Sequence, residues 1–336
     1  MIKPLTQTSK RVKLVIYQGV NMSEQVLGYA CINMGFSERP KKQRITTNRS
    51  MIKRTFKERG PKYASELALQ NSKDLIKILK WNTENGINFF RMSSEIFPWA
   101  SEYDIKDLPD YKEIKRALGR AGAYARSVGQ RLTTHPGPFN KLTSPKEHVI
   151  RNTVRDLEVH GELMDLLGQP RTPWAKINIH VGATYGDKPM AIGNFCRNFE
   201  LLSDAVKTRL TVENDDKDSL YSTAELVKEI HSRIGIPVVH DFHHHLFTNR
   251  GMSQKEALGL ACTTWGDVTP VVHYSESRAK EYNNPKIRPQ AHSDRIKEYI
   301  DTYGYDVHIM IEAKHKELAL LEYRELHNHK VLTEAA

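Results

Sequence analysis

The stretch Arg209–Asp216 (RLTVENDD) places a carboxylate, Glu213, directly after a short apolar run that is typical of a β-strand. Side chains of the kinds that bind metal ions occupy the same position after five other strand-like runs: His135, His180, Asp241, His273 and Glu312. Consecutive members of this set of six are roughly 30 to 45 residues apart, about the length of one βα unit. Because active sites of (β/α)8 barrels lie at the C-terminal ends of the strands, the spacing predicts that all six side chains converge on one rim.

The rest of the chain continues this alternation of strands and helices. Strands are expected at residues 25–32, 88–92, 131–134, 175–179, 209–212, 237–240, 268–272 and 306–311. Helices are expected at residues 64–85, 111–128, 145–167, 189–207, 222–234, 253–263 and after the last strand to about residue 325. This pattern predicts an α/β fold, a TIM-type (β/α)8 barrel, with an open doubly wound sheet as the alternative. No GxGxxG motif follows the first strand, which disfavours the dinucleotide-binding version of that alternative.

Charge and domain organisation indicate the class of partner. The formal net charge of +10 suits a polyanion, and nucleic acid is the first candidate, although a solvated basic surface would give the same number. Residues 24–330 are expected to form one barrel domain after an N-terminal extension, residues 1–23. Within the domain, residues 39–62 are rich in Lys and Arg and are expected to be a basic insert, either a loop that contacts phosphates or a disordered surface segment.

Cysteine use and hydropathy favour an intracellular protein. The three cysteines are far apart and form no CxxC motif, so they are expected to be reduced. No apolar run approaches the ~18 residues that a membrane span requires, and residues 1–13 lack the apolar segment of a secretory signal. We therefore expect a protein that is cytoplasmic and nucleoid-associated, neither secreted nor bound to a membrane, and monomeric.

The six side chains at the strand ends indicate a catalytic metal site rather than a structural one. They are imidazoles and carboxylates without thiolates, a mixture that suits zinc, manganese or iron. Six ligands exceed the needs of one ion with an open position, and two ions about 4 Å apart can hydrolyse a phosphodiester. The run Val239–His245 (VHDFHHH) adds His244, three residues after Asp241. Taken singly, His135 could be a hydrogen-bonded loop residue, Glu213 part of a solvated acidic turn, and the His-rich run an exposed loop.

Several longer motifs occur in an order that matches one protein family. The chain resembles the UV damage endonucleases, a TIM-barrel DNA repair family related to apurinic-site nucleases of the endonuclease IV type. The resemblance extends from about residue 26 to residue 325 and rests on nine segments: Gly28-Tyr29 with Asn33, Phe90–Trp99 (FRMSSEIFPW), His135–Pro145 (HPGPFNKLTSP), Asn178–Lys188 (NIHVGATYGDK), Val212–Asp216 (VENDD), Asp241–His244 (DFHH), His273–Glu276 (HYSE), His292–Asp294 (HSD) and Met310–Leu318 (MIEAKHKEL).

The resemblance implies a metal-dependent enzyme that nicks duplex DNA immediately 5′ to a UV photoproduct and leaves a 3′-hydroxyl and a 5′-phosphate. It implies two or three divalent ions, Mn²⁺ foremost, with Zn²⁺, Co²⁺ or Mg²⁺ as alternatives. Glu213, Asp241 and Glu312 would act through a metal-activated hydroxide, so no side-chain nucleophile is needed. The implied ligand sets are His135, His180 and Glu213 for a first ion; Glu213, Asp241, His273 and Glu312 for a second; and His244 and His292 for a third.

The resemblance also implies residues that contact the damaged DNA. Tyr29 is expected to be a wedge in the opened duplex, with an ordinary packed aromatic as the alternative, because unstacking a damaged nucleotide costs less than unstacking a sound pair. The other expected contacts with DNA or supports of the metal site are Asn33, Arg91, Phe139, Tyr185, Lys188 and Lys314.

Two residues depart from the family pattern. Pro138 stands where family members usually have Gln, which puts the lesion preference in doubt because Pro has no side-chain amide. Val271 stands where they often have Lys, so the role of that lysine is expected to be absent or taken by another group, such as water. Three other functions remain compatible with the ligands: an apurinic-site endonuclease, a metal-dependent sugar isomerase, and a non-catalytic binder of distorted DNA.

Overall fold

Eight parallel strands form a closed barrel in the computed structural model of the chain, which describes residues 25–333. The strands are β1 Val26–Ala30, β2 Phe89–Met92, β3 Arg131–Thr134, β4 Ile177–His180, β5 Leu210–Glu213, β6 Val238–Asp241, β7 Val271–Tyr274 and β8 His308–Ile311. Each strand pairs with the next, and β8 pairs with β1. The predicted TIM-type (β/α)8 barrel is confirmed. The expected N-terminal extension, residues 1–23, lies outside the described residues.

Helices follow or connect the strands around the barrel. They are α1 Met34–Ser37, α2 Lys53–Glu84, α3 Tyr111–Ser127, α4 Glu147–Leu166, α5 Lys188–Phe199, α6 Asp204–Lys207, α7 Thr223–Leu226, α8 Ser232–Ile234, α9 Phe242–Thr248, α10 Gln254–Cys262, α11 Arg278–Glu281 and α12 Lys316–Thr333. A π-helical turn, Val227–His231, joins α7 to α8. Among residues 25–333, no helix has both the length and the apolar character needed to cross a membrane.

The apolar core lies mainly between the outer face of the barrel and the helices. Leu27 and Phe90 on the strands pack with Leu75 and Ile78 of α2 in the largest cluster. Inside the barrel a smaller apolar cluster lies beneath the C-terminal rim: Ala30, Phe89, Val239, Val271 and Met310, with Trp265 below them. This layer separates the polar rim from the opposite end of the barrel.

A buried arginine occupies the N-terminal end of the barrel. The guanidinium of Arg131 donates hydrogen bonds to the carbonyls of Pro173, Trp174 and Thr269 and lies 3.3 Å from His308 Nδ1. Its carbon centre also lies 4.6 Å from the ring centroid of Trp174, a cation–π distance. These contacts give the buried guanidinium polar and aromatic partners.

The expected basic insert is not a loop over its whole length. Its second half, from Lys53, is helical and belongs to α2. Gly60 adopts a φ of 62° and interrupts the helix, and Pro61 then begins the longer part, a position where its missing N–H costs nothing. The part of α2 before Gly60 is held in place because Phe56 stacks on Trp99, with ring centroids 5.6 Å apart. The sequence pattern did not reveal this contact, which joins segments far apart in the chain.

The helix expected at residues 189–207 is divided into α5 and α6. Between them, the backbone N–H and the hydroxyl of Ser203 both donate hydrogen bonds to Glu158 of α4. Glu158 thus accepts the hydrogen bond that the N–H of Ser203 would otherwise donate to a helical carbonyl, and the chain turns before α6 begins.

Candidate metal centre

The C-terminal ends of the strands bring the predicted ligands to one rim. In the register of the barrel, His180 of β4 is the partner of Glu213 of β5, and Asp241 of β6 is the partner of His273 of β7. Successive side chains of a strand point to opposite faces, so each strand can direct its last inward residue to the same space. The convergence expected from the spacing is therefore present in the structure.

Glu213 lies at the centre of this cluster, with only 1 % of its surface exposed. Its Oε2 is 3.1 Å from His135 Nε2, 3.1 Å from His273 Nδ1 and 4.0 Å from His180 Nε2. Its Oε1 is 3.4 Å from His244 Nδ1. Each oxygen therefore faces a different set of imidazoles, an arrangement compatible with a carboxylate shared by two ions.

Three overlapping groups of side chains offer ligand atoms within 4.8 Å of one another. They are His135, Glu213 and His273; His180, Glu213 and His244; and Asp241, His273 and Glu312. Asp241 Oδ2 is buried and has no hydrogen-bond partner among the described residues. Burying polar atoms without partners is costly, and nitrogen and oxygen donors of this kind fit Mn²⁺ or Zn²⁺. The residues present therefore fit the divalent ions that the resemblance implies.

His244 and His292, the expected ligands of a third ion, lie close together on the rim with ring centroids 6.0 Å apart. Nδ1 of His244 lies 2.9 Å from the carbonyl of Asn214, and Nδ1 of His292 lies 3.0 Å from that of Glu312. Such bonds leave Nε2 of each ring available to a ligand. In the structure His244 also groups with His180 and Glu213. The division of ligands among ions and the third ion both stay predictions.

The protonation of the site reflects its crowded charges. Burial opposes ionisation of Glu213, yet His273, His180 and His135 hold its pKa well below the usual range. Burial, with the charges of Glu213 and Glu312, raises the pKa of Asp241 to about 7 against the opposing effect of His244. Burial lowers the pKa of His180, but Glu213 and Asp215 outweigh it and raise that pKa to about 9. Protons on these side chains thus offset the negative charge of the carboxylates, and bound divalent cations would offset it instead.

Three polar residues at the centre were missed by the sequence reasoning. Asn178 donates a hydrogen bond from Nδ2 to Glu213 Oε2, and Asp215 Oδ1 lies 3.2 Å from His180 Nδ1. Nζ of Lys176 lies 3.1 Å from His273 Nε2. Lys176 and Asn178 precede His180 by four and two residues, so strand alternation alone places them on the same inward face as this ligand.

Two residues expected to contact DNA are structural instead. Tyr29 is fully buried; its hydroxyl donates to Asn82 Oδ1 and accepts from Asn33 Nδ2. Asn33 is 2 % exposed, and its Oδ1 accepts from the N–H of Phe36 at the start of α1. The expectation that Tyr29 is a wedge is therefore wrong, because its side chain leaves the outer face of β1 towards α2 and cannot reach a duplex from there.

Arg91 and Lys188 have partners within the protein. The guanidinium of Arg91 lies inside the barrel and forms an ion pair with Glu312, so it supports a candidate ligand. Lys188, the first residue of α5, donates to Glu225 and to the carbonyl of Leu220. Its amine therefore already has two partners within the protein, and its expected contact with a DNA phosphate stays a prediction.

The remaining predicted contacts are accessible. Phe139 is 87 % exposed on the loop that follows His135, Tyr185 is 43 % exposed on the loop after β4, and Lys314 is exposed just after β8. All three follow strands whose ends carry candidate ligands, so they surround the metal centre at the open end of the barrel. Their contacts with DNA stay predictions.

Comparison with known proteins agrees with the barrel fold. The family model described as UV-endonuclease UvdE matches residues 25–336. The chain belongs to the UV-endonuclease UvdE family. A UV-damage endonuclease of Neurospora crassa is 36 % identical over 280 residues, which cover 79 % of this chain and 41 % of that protein. A UV DNA damage endonuclease of Clostridium perfringens is 32 % identical over 303 residues, covering 88 % and 69 %.

A solved UvdE structure shares the fold of the chain. The crystal structure of SacUVDE superposes with a TM-score of 0.77 at 29 % sequence identity, covering 93 % of this chain and 99 % of that one. The chain spans less than half of the length of the Neurospora crassa UvdE relative.

Proposed function

We propose that the chain is a DNA-repair endonuclease that nicks duplex DNA immediately 5′ to UV photoproducts or similar distortions. The observation that carries this proposal is the set of three overlapping ligand groups that share Glu213 at the C-terminal end of a UvdE-family barrel. Two or three divalent ions, Mn²⁺ foremost, would polarise the phosphodiester and activate water there. Damaged double-stranded DNA is the proposed partner, and the net charge of +10 is consistent with it.

The side chains of the site divide into those that would hold cations and those that would hold DNA. His135, His180, Asp241, His273 and Glu312 surround Glu213, while Arg91 restrains Glu312 by its ion pair. No residue is needed as a covalent nucleophile, because hydrolysis at such a site uses water. The carboxylates would keep the cations in register with the scissile phosphate, and the basic surface would hold the strand on either side.

Recognition of the lesion is assigned to the open end of the barrel. Phe139 has an exposed ring that can stack on an unpaired base, and stacking of this kind is worth about 1–3 kcal/mol per base. Pro138 beside it offers no side-chain amide to fill the gap left by a lesion. An apurinic-site endonuclease, which would use the same metal centre, is the second candidate.

The test is a nicking assay with four matched duplexes in the presence of Mn²⁺. They carry one cyclobutane dimer, one 6-4 photoproduct, one abasic site, or no lesion. The proposal predicts a nick directly 5′ to a photoproduct with a 3′-hydroxyl, and little cleavage of undamaged DNA. Preferential cleavage at the abasic site would support the second candidate. Binding to damaged duplexes without turnover under any divalent ion would contradict both and leave a non-catalytic binder.

A further inference from the structure

The side chain of Asn214, the residue that follows Glu213 at the end of β5, is completely buried. Its Oδ1 accepts a hydrogen bond of 2.7 Å from the backbone N–H of Asp241, and its Nδ2 donates one of 3.0 Å to the backbone carbonyl of the same residue. Only this orientation of the amide pairs a donor with an acceptor at both atoms. Asn214 thus binds both backbone groups of a candidate metal ligand.

These two hydrogen bonds continue the pairing of β5 with β6 beyond the point where the backbone pairing ends. In the register of the barrel, the last paired residues are Glu213 and Val239. Asp241 lies two residues farther along β6, and there the side chain of Asn214 supplies the partners that the backbone of β5 no longer offers. Because a buried N–H without an acceptor is costly, the amide holds the backbone of Asp241 against the end of β5.

With its backbone held in this way, Asp241 has two carboxylate oxygens in different surroundings. Oδ1 accepts a hydrogen bond of 2.7 Å from the backbone N–H of His244, in the first turn of α9. Oδ2 is buried and has no hydrogen-bond partner within the described part of the chain. The carboxylate also groups with His273 and Glu312 as possible ligands of one ion. Since Oδ1 is occupied by the helix, Oδ2 is the oxygen left for a cation.

We infer that Asn214 is a positioning residue for Asp241, holding its backbone so that Oδ2 stays directed at an ion shared with His273 and Glu312. The inference rests on the proposed metal centre and deepens it. Partners behind a metal ligand commonly contribute 10- to 100-fold to metal affinity, since they fix the orientation of the ligand. An asparagine that only satisfied buried backbone groups would contribute to the stability of the barrel and not to the affinity for cations.

A second buried asparagine provides a matched control for that purely structural role. Asn71 of α2 is also completely buried, and its amide binds the backbone of Arg49 in the same reciprocal way, each hydrogen bond being 3.1 Å long. Its Nδ2 donates in addition to the carbonyls of Glu95 and Ile96. None of these four residues belongs to the three ligand groups. Replacing Asn71 therefore removes at least as many buried hydrogen bonds without touching a candidate ligand.

The experiment compares Asn214→Ala, Asn214→Ser and Asn71→Ala with the unaltered protein. Metal-free protein is titrated with Mn²⁺ while free Mn²⁺ is followed by electron paramagnetic resonance. Thermal unfolding in EDTA shows whether each variant is folded at the temperature of the titration. Serine retains a hydroxyl that is too short to span both backbone groups, and it provides the second test should the alanine variant not fold.

We expect Asn214→Ala and Asn214→Ser to weaken the binding of at least one Mn²⁺ about 10- to 100-fold. Asn71→Ala should bind Mn²⁺ like the unaltered protein, although its unfolding temperature in EDTA should fall at least as far, because it too leaves buried backbone groups without partners. Unchanged Mn²⁺ affinity in a folded Asn214 variant, or equal weakening in Asn71→Ala, would overturn the inference. If the unaltered protein itself bound no Mn²⁺, the proposed metal centre would be wrong, and this inference with it.

Discussion

At the scale of single residues, Glu213 is the side chain on which the candidate centre depends most. It is buried, neighbouring histidines hold its pKa well below the usual range, and it lies within 4.0 Å of four imidazoles. We predict that Glu213→Gln loses more than about 100-fold in nicking rate and binds fewer Mn²⁺ per chain, because a neutral amide is a weak ligand and cannot bridge two cations. Nicking of a photoproduct duplex and Mn²⁺ stoichiometry measure the two effects.

The control for this variant is Glu162→Gln on α4. Glu162 is a partly buried carboxylate whose Oε1 has no hydrogen-bond partner among the described residues, and it does not belong to any of the three ligand groups. This exchange should leave both nicking and Mn²⁺ stoichiometry unchanged. Activity like that of the unaltered protein in Glu213→Gln would refute the bridging role.

Two aromatic residues should respond in opposite ways to truncation. Tyr29→Ala should lower the free energy of unfolding by about 3–5 kcal/mol, because it empties a buried site. Phe139→Ala should change that free energy by less than about 0.5 kcal/mol and should reduce the preference for damaged over undamaged DNA. Denaturant unfolding and competition binding measure the two quantities. A stable Tyr29→Ala protein that had lost lesion preference would restore the wedge interpretation.

Much of the site could be predicted from residue type and position alone. A carboxylate or imidazole directly after an apolar strand marks the rim, and Glu213, Asp241 and His273 all lie there. The failure at Tyr29 has a physical cause: the strand pattern does not say which face of β1 turns inward. Lys176 was missed because the imidazole that it contacts, His273, is 97 residues away in the sequence, and only the closed barrel brings the two together.

At the scale of elements, the contact between α3 and α4 depends on a glycine. A Cβ added to Gly122 would lie 1.8 Å from the carbonyl oxygen of Leu167, so the two elements could not keep their present separation. We predict that Gly122→Ala lowers the free energy of unfolding by at least about 1–3 kcal/mol, the usual cost of overpacking a buried site. Thermal or denaturant unfolding of metal-free protein measures it.

Gly193 in α5 provides the matched control, because a Cβ added there meets nothing within 4 Å. Gly193→Ala should raise the free energy of unfolding by about 0.5–1 kcal/mol, the usual advantage of Ala over Gly inside a helix. If both substitutions destabilised the protein equally, the close approach of α3 to Leu167 would not explain the effect.

The strands could be placed from sequence more closely than the helices. Apolar runs of four to eight residues between turn signals predicted all eight strands, whereas α2 begins eleven residues earlier than expected. The stack of Phe56 on Trp99 that orders this start is a tertiary contact, invisible to local periodicity. For the same reason the bonds from Ser203 to Glu158, which separate α5 from α6, were not foreseen.

For the molecule as a whole, closure of the barrel places a polar rim at one end and the buried Arg131 at the other. There, burial and the nearby charge of Arg131 lower the pKa of His308 to about 4, below its ordinary value of about 6.5. The folded protein thus holds His308 neutral, and its contribution to stability is complete above pH 6.5. As the pH falls from 6.5 to 4, the unfolded chain binds this proton first and the contribution is lost.

We predict that His308→Gln flattens the dependence of stability on pH between 6.5 and 4. A single such group contributes a slope of at most about 1.4 kcal/mol per pH unit, so the difference between variant and unaltered protein should approach that limit near the middle of the range. Urea unfolding of metal-free protein at several pH values measures it. Parallel curves for the two proteins would show that His308 is protonated equally in both states.

If imidazoles and carboxylates from separate strands bind divalent cations together on one rim, crystals grown with Mn²⁺ should show it by anomalous diffraction at the manganese edge. We expect two or three peaks at the C-terminal end of the barrel, two of them within bonding distance of Glu213. A map with no peak at this rim, or with manganese only elsewhere on the protein, would refute a shared metal centre.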